Sequence, residues 1–441
     1  MTVVGAARSG IAAARLLAER GASVTLTEVR AEVPEARPLE ALGVRLELGG
    51  HREATLTDAD LVVLSPGVPP EQPEVAKART GGVPVIGEIE MASRWLRGRV
   101  IAITGTKGKS TTTALTGSML ETAGFPTTVG GNIGSPLSAQ VAASTPESLH
   151  VIEVSSFQLE QIDSFHPWIS VMLNVSPDHL DRHPTIEAYE TAKARIFENQ
   201  ETGDWAVLNA DDATVLRLAS TSRATPRLFS RRSHIDQGTS IEHGWIVDRR
   251  GDRADSLVPL DAIHLIGPHL VDDVMAAATV GVIAGAAPAA MTAAVDRFRG
   301  LEHAMELVAE IEGVRFVNDS KATNVESALR AIESFDRGLV TILGGHFKGG
   351  DLKRLREPLR RRAKAVLSIG EARPLIREAL EGAVDVKEAG SLDEAVATAF
   401  ELAKPSGVVL LAPACASFDM FRDYAERGRR FKEAVSRIGV R

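Results

Sequence analysis

Cysteine is almost missing from this chain: Cys415 is the only one in 441 residues. A single thiol cannot build an internal disulfide framework, and the expected setting is a reducing compartment. Aromatic residues make up only 4% of the chain, which argues against base-stacking platforms. A basic excess is missing too: 50 Lys and Arg face 58 Asp and Glu, a net charge of −8, so the footprint of a nucleic-acid binder is absent. No apolar run approaches the roughly 20 residues needed to cross a bilayer, and no membrane insertion is expected. Met1-Thr2-Val3-Val4-Gly5 reads directly into a strand, so no secretory leader is expected either. At roughly 150 residues per domain the length suggests three domains. These exclusions leave a cytoplasmic, multidomain, soluble protein as the expectation.

What is present centres on Ile101-Ala102-Ile103-Thr104-Gly105-Thr106-Lys107-Gly108-Lys109-Ser110-Thr111-Thr112. An apolar strand enters a glycine turn, and a helix pattern opens at Ser110. Glycines let backbone N–H groups approach a polyphosphate, and the following helix N-terminus adds donors and a favourable dipole. Lys109 would reach the terminal phosphates, and a hydroxyl from Ser110 or Thr111 would meet Mg²⁺. The general pattern G-x-x-x-x-G-K-[ST] wants glycine at position 103, where this chain has Ile103, so the motif is a variant. Nucleotide binding through Gly105, Thr106, Lys107, Gly108, Lys109, Ser110 and Thr111 is the working expectation.

The flanking units read as α/β. Thr2-Val3-Val4, a turn from Gly5 to Gly10, a helix over Ile11–Arg20 and a strand over Ser23–Thr27 make a Rossmann-like start, without the G-x-G-x-x-G spacing. Glu28 could accept from a ribose or a base imide, and Arg30 could bind phosphate. A strand over Leu61–Leu64 ends in Ser65-Pro66-Gly67. After a helix over Gly87–Leu96 and the phosphate loop, the tight turn Gly130–Gly134 follows. Strand His150–Val154 carries Glu153, and strand Ile169–Val175 ends at Asp178-His179. Ligands of open parallel sheets sit beyond the carboxyl ends of strands, so Lys109, Glu153 and His179 are expected at one edge. Glu153 and His179 could complete a Mg²⁺ site with the loop hydroxyl. Lys193, on an amphipathic helix over Thr185–Glu198, reads as a surface lysine. Trp205–Leu265 reads as irregular β structure with Arg249–Arg253 as a loop, and helices are expected over Asp272–Ala284 and Ala286–Phe298. A third α/β unit begins at Gly300, with strands at Val314–Val317, Leu339–Leu343 and Val408–Leu411. No 20–50-residue repeat is evident. The expected architecture is three α/β domains: Rossmann-like over 1–93, a central P-loop-type ATPase domain over 94–299, and Rossmann-like again over 300–441.

The set Gly105-Thr106-x-Gly108-Lys109-Ser110-Thr111, Glu153-Val154-Ser155-Ser156-Phe157-Gln158-Leu159-Glu160, Asn174-Val175-x-x-Asp178-His179-x-Asp181-Arg182 and Asn318-Asp319-Ser320-Lys321-Ala322-Thr323-Asn324 resembles the Mur ligases of peptidoglycan synthesis. Gly344-Gly345-x-x-Lys348 and Pro413-Ala414-Cys415-Ala416-Ser417-x-Asp419 narrow the resemblance to the branch that adds D-glutamate. The resemblance covers essentially the whole chain. It implies ATP-driven amide formation on UDP-N-acetylmuramoyl-L-alanine through an acyl phosphate, with ATP and two Mg²⁺ ions and with a monomer as the working form. Glu153 and His179 match metal-binding positions, and Lys193 matches a lysine carbamylated by CO₂, which reverses its reading as a surface residue. Lys109, His179 and Lys193 would carry the chemistry. Ser9, Glu28, Arg30, Ser65 and Gly67 would hold the UDP part, and Asn132, Ser155 and Gln158 would face the muramoyl part. Asp273 and Asp319 would lie at ATP. Lys321, Thr323, Lys348, Ser417, Phe418 and Tyr424 match positions around D-glutamate.

Three positions depart from the family pattern. Lys107 replaces the loop asparagine, Asp273 replaces an asparagine expected near ATP, and Ala304 follows His303 where an arginine is expected at the ATP phosphates. Two rivals stand beside the ligase reading. One is another amide ligase on the same fold, including one that extends folate with glutamate. The other is a weakened homologue that binds the precursor without turnover.

Overall fold

The computed structural model describes residues 1–176, 182–264, 267 and 269–439. His179 lies outside the described residues. The chain divides into two compact units: Met1–Ile263 with Val271–Arg297, and His264–Leu270 with Phe298–Arg441.

The first unit holds two sheets. One has five parallel strands in the order Arg45–Leu48, Thr25–Glu28, Thr2–Val4, Val62–Leu64, Val85–Gly87. Strands buried on both faces must be apolar throughout, and Val3, Val4, Val62 and Val63 are fully buried. The first helix runs Arg8–Glu19, opening three residues before the apolar pattern at Ile11. Gly10 is required in that turn, because a Cβ there would sit 1.8 Å from the Gly5 carbonyl oxygen.

The second sheet has nine strands: Arg253–Pro259, Trp245–Arg250, Gln237–Glu242, Thr225–Ser230, Trp205–Asn209, Ile169–Met172, Arg99–Thr104, Leu149–Glu153 and Thr127–Gly131. Strand Arg99–Thr104 pairs in parallel with both Leu149–Glu153 and Ile169–Met172. The loops after these three strands therefore share one edge. The stretch expected to be irregular β contains a helix, Ala213–Ala219, capped by Asp212. The polar run Arg249–Arg253, expected as a loop, is mostly strand: Trp245–Arg250 and Arg253–Pro259 pair antiparallel across a tight turn, with Arg250 opposite Arg253. Exposed edge strands tolerate such charge, which hid them from a hydrophobicity reading.

Two buried carboxylates join the layers of this unit. Glu90 accepts from the backbone N–H groups of Asp163 (2.9 Å), Ser164 (3.0 Å) and Phe165 (2.7 Å), and Glu88 accepts from the N–H and Oγ of Ser138 (2.7 and 2.6 Å). Three N–H donors on one carboxylate outweigh the cost of burying it. Burial alone would raise the Glu90 carboxyl, but these bonds, with Ser164 Oγ and Arg94, hold it below the usual range.

The second unit has six strands in the order Glu306–Ile311, Val314–Asn318, Val408–Leu411, Leu339–Gly344, Ala363–Ile369, Val386–Glu388. All neighbours are parallel except the first pair. No helix among the described residues is long and apolar enough to cross a membrane.

Candidate active site

The phosphate loop is a strand-to-helix turn at the carboxyl edge of the nine-stranded sheet. Strand Arg99–Thr104 ends at Gly105, and helix Lys109–Thr122 opens behind Gly108, whose φ of 81° is left-handed. Asn174, just beyond the neighbouring strand, grips the turn from both sides: its Oδ1 accepts from Lys107 N–H (2.9 Å) and its Nδ2 donates to the Lys107 carbonyl (3.1 Å). Thr106 is buried, its Oγ1 3.1 Å from the Tyr189 hydroxyl. Lys109 Nζ donates to the carbonyls of Gly105 and Thr106, both at 3.0 Å, so its cation folds over the loop. The loop is a cradle of backbone donors with a lysine at its rim.

Ser110 and Glu153, two of the predicted metal-site residues, meet next to it. Ser110 Oγ donates to Glu153 Oε2 (2.6 Å), and Asn132 Nδ2 donates to Glu153 Oε1 (2.8 Å). Glu153 is only 2% exposed. Lys193, read from spacing as a surface lysine, is 1% exposed. Its Nζ donates to the Gly105 carbonyl (2.7 Å) and lies 4.7 Å from the centre of the Tyr189 ring. The set Ser110 Oγ and Glu153 carboxylate has the hard oxygen chemistry Mg²⁺ takes. Among the described residues no cluster of three His, Cys, Asp or Glu side chains forms.

A cavity of about 160 Å³ opens beside this cluster, lined by Ala7, Arg8, Ser9, Ser65, Gly67 and Asn132 among others. Four of the residues assigned from the sequence to the UDP-bearing substrate, Ser9, Ser65, Gly67 and Asn132, share this one pocket. Arg8 reaches across it to the Gly134 carbonyl (3.2 Å) and was not legible as a site residue, since an arginine opening a helix normally faces solvent. Glu28 and Arg30 lie behind the wall. Glu28 Oε2 accepts from Ala6 N–H (2.7 Å), and Arg30 donates to that same oxygen (3.3 Å) and to the Ala6 carbonyl (3.1 Å). They brace the turn that forms the wall; burial would raise the Glu28 carboxyl, but the Arg30 guanidinium and the N–H groups of Ala6 and Arg30, all donating to it, hold it below its ordinary value.

Ser155 and Gln158 spend their side chains on each other. They form a reciprocal capping box on the short helix Ser156–Leu159, with Gln158 N–H on Ser155 Oγ (3.3 Å) and Ser155 N–H on Gln158 Oε1 (3.0 Å). Gln158 Nε2 is buried without a hydrogen-bond partner. Behind this helix His183 bonds Ser156 Oγ (2.9 Å), approaches Glu160 (3.3 Å) and stacks on Phe157 (5.4 Å). Asp273 lies under the loop: a Cβ on Gly108 would sit 2.1 Å from its Oδ1.

In the second unit, the loops after strands Val314–Asn318, Val408–Leu411 and Leu339–Gly344 meet at one carboxyl edge, since Val408–Leu411 lies between the other two. They carry Asp319, Lys321 and Thr323; Ser417 and Phe418; and Lys348. Paired bonds between His346 and Ala416, both 2.9 Å, and one from Ala414 N–H to the Ala322 carbonyl (3.0 Å) tie the loops together. Phe418 is 70% exposed and Tyr424 40%. Ser320 Oγ donates to the Tyr424 carbonyl (2.7 Å). Burial pushes the Asp319 carboxyl up to about 7, partly offset by the Met305 N–H and Lys321. Arg427, buried on the last helix, donates to the carbonyls of Ser320 (2.9 Å) and Cys415 (3.1 Å) and so pins two of these loops. A buried arginine on an amphipathic helix leaves no mark in the sequence. Burial also raises the Cys415 thiol to about 12, so this thiol is inert packing.

Comparison with known proteins agrees along the chain. The family described as "Mur ligase MurD-like, N-terminal domain" matches residues 1–87, "Mur ligase middle domain" 103–281, and "Mur ligase, glutamate ligase domain" 303–415. A UDP-N-acetylmuramoylalanine–D-glutamate ligase of Koribacter versatilis is 45% identical over 441 residues, covering 99% of this chain and 97% of that one. One of Acidobacterium capsulatum is 47% identical over 440 residues, covering 98% and 95%. Among solved structures, the UDP-N-acetylmuramate-alanine ligase MurC of Thermotoga maritima overlays with a TM-score of 0.61 at 19% identity, covering 99% of both chains. An E. coli FolC complex with ADP gives 0.59 at 16% identity, covering 79% of this chain and 92% of that one, a likeness of fold alone. With three domain families in order and full-length relatives well above 30% identity, the chain belongs to the Mur ligase family.

Proposed function

We propose that this chain is an ATP-dependent amide ligase that joins D-glutamate to UDP-N-acetylmuramoyl-L-alanine, a step of peptidoglycan precursor synthesis. The observation that carries the reading is full-length identity of 44–47% to relatives such as those of Koribacter, Acidobacterium and Trichlorobacter, all named for that reaction. The domains we assign are 1–93 for the UDP end, 94–299 for ATP and 300–441 for the amino acid. The reaction belongs in the cytoplasm, with one chain as the working unit.

The residues divide the work by chemistry. The N–H groups of the loop and the N-terminus of helix Lys109–Thr122 bind the ATP phosphates, and Lys109 turns from two neutral carbonyls to neutralise the γ-phosphate. Phosphoryl transfer depends on charge neutralisation and alignment rather than on a protein nucleophile. The pocket around Ser9, Ser65 and Asn132 holds the precursor with its terminal carboxylate toward the γ-phosphorus. That carboxylate takes the phosphoryl group, giving an acyl phosphate and ADP. The D-glutamate amine then attacks the acyl carbon, loses a proton and expels phosphate. Lys321, Lys348, Thr323 and Ser417 supply the cations and hydroxyls that two carboxylates require, with Phe418 and Tyr424 at the same rim and Asp319 on the ATP side.

Ser110, Glu153 and His179 would hold Mg²⁺, with a carbamylated Lys193 for the second ion. When bound, the metal would withdraw charge from the phosphate oxygens and so ease the approach of the carboxylate. In its unmodified form the Lys193 cation is satisfied by the Gly105 carbonyl and the Tyr189 ring.

Incubation with ATP, Mg²⁺, UDP-N-acetylmuramoyl-L-alanine and D-glutamate, followed by mass spectrometry of the nucleotide product, tests the reading. A product heavier by one glutamate residue is expected. No product, with the precursor shown to bind in a parallel titration, favours the weakened homologue, and a product formed only when another amino acid replaces D-glutamate favours a different ligase.

A further inference from the structure

Asp273 is an unusual residue for its surroundings. It lies on helix His269–Ala284, 3% exposed, directly beneath the phosphate loop. A Cβ on Gly108 would stand 2.1 Å from its Oδ1 and 3.1 Å from its Oδ2. Oδ2 is buried without a hydrogen-bond partner, and so is the Thr112 hydroxyl that acts on it from helix Lys109–Thr122. Asp272 on its own helix, paired with Arg231 (2.8 Å), acts on it, and the loop it packs against carries Lys107 and Lys109, the latter's Nζ held by the Gly105 and Thr106 carbonyls. Burial pushes its carboxyl well above the usual range, Thr112 opposes this, and the like charge of Asp272 adds to it. A carboxylate buried without compensation costs far more than its neutral acid.

We propose that Asp273 works as an uncharged positioning residue of the nucleotide site, supporting Gly108 from below. Asparagine is the residue expected at this position from the family pattern, and a neutral carboxylic acid shares its shape and its pairing of one donor with one acceptor oxygen. The proposal rests on the reading that the loop binds ATP. It explains how an acidic residue occupies a site built for an anion.

Wild type, Asp273→Asn and Asp273→Ala are compared in two measurements on the full chain. The first is thermal unfolding without ligand from about pH 5 to 9. An acid kept neutral in the fold retains a proton that the unfolded chain sheds above about pH 4. Wild type therefore loses stability relative to Asp273→Asn as pH rises, about tenfold in folding equilibrium per pH unit. A Tm margin that widens with pH is expected; a margin independent of pH means an ionised carboxylate and overturns the proposal. The second is ATP affinity by calorimetry near neutral pH. Asp273→Asn should bind within about twofold of wild type, and Asp273→Ala about tenfold more weakly; Asp273→Ser replaces the alanine variant if that does not fold. Asparagine as weak as alanine, or alanine as tight as wild type, overturns the positioning role. No ATP binding by wild type defeats the ATP reading itself, while the unfolding arm still reports the proton on Asp273.

Discussion

Glu153 is the residue on which the most site chemistry converges, since its two oxygens accept from Ser110 and Asn132 and join the phosphate loop to the pocket that Asn132 lines. Glu153→Gln keeps the shape and removes the charge a metal needs. Turnover should fall by about 100-fold or more, with a larger Mg²⁺ requirement, in steady-state assays over a range of Mg²⁺; unchanged turnover would remove Glu153 from the metal site. Ala304 is the opposite case, a small residue where an arginine is expected. Restoring a charge-assisted phosphate contact is worth about 1.5–3 kcal/mol, so Ala304→Arg should lower the ATP KM by about 10-fold or more. An unchanged KM means position 304 does not limit ATP use. Both residues stood out in the sequence because the motifs around them fix their place. Lys193 stood out only through the family resemblance: helical spacing alone made it a surface lysine, and its burial against Tyr189 comes from tertiary packing that no local pattern encodes.

At the scale of elements, the site rests on clamps between strands and helices. Glu90, on the helix Glu88–Ser93, is the firmest, with three backbone N–H groups of the segment Asp163–Phe165 on one carboxylate. Its pKa is depressed in the fold, so its contribution is present above the unfolded value and is lost as pH falls through the folded one. Glu90→Gln should cost about 1.5–3 kcal/mol at neutral pH. In thermal unfolding against pH, that cost should shrink below about pH 4 as wild type protonates. A loss of stability that is the same at every pH would mean packing, not charge, holds the clamp. The apolar strands that form each sheet centre, such as Ile101–Ile103 and Val408–Leu411, were readable because burial on both faces demands an unbroken apolar run. The hairpin Trp245–Pro259 and the helix Ala213–Ala219 were not, because one is half exposed and charged and the other is only seven residues long. Capping was equally hidden: Ser155 and Gln158 read as ligand-facing residues, and the structure uses them to start a helix.

Across the whole molecule, two units each bring polar loops to the carboxyl edge of a mainly parallel sheet, the phosphate loop in one and the Lys321, Lys348 and Ser417 loops in the other. The edge placement followed from sequence order, since every motif trails an apolar strand. The strand order did not, because nothing local says that Val408–Leu411 inserts between Val314–Asn318 and Leu339–Gly344. In the proposed reaction ATP consumption is tied to amide formation. The direct measure is steady-state phosphate release with ATP, Mg²⁺ and UDP-N-acetylmuramoyl-L-alanine, run without amino acid, with D-glutamate and with L-glutamate. The account predicts sustained release with D-glutamate, one phosphate per amide formed, and little with L-glutamate or none. Equal release in all three, or release only with a different amino acid, would contradict it.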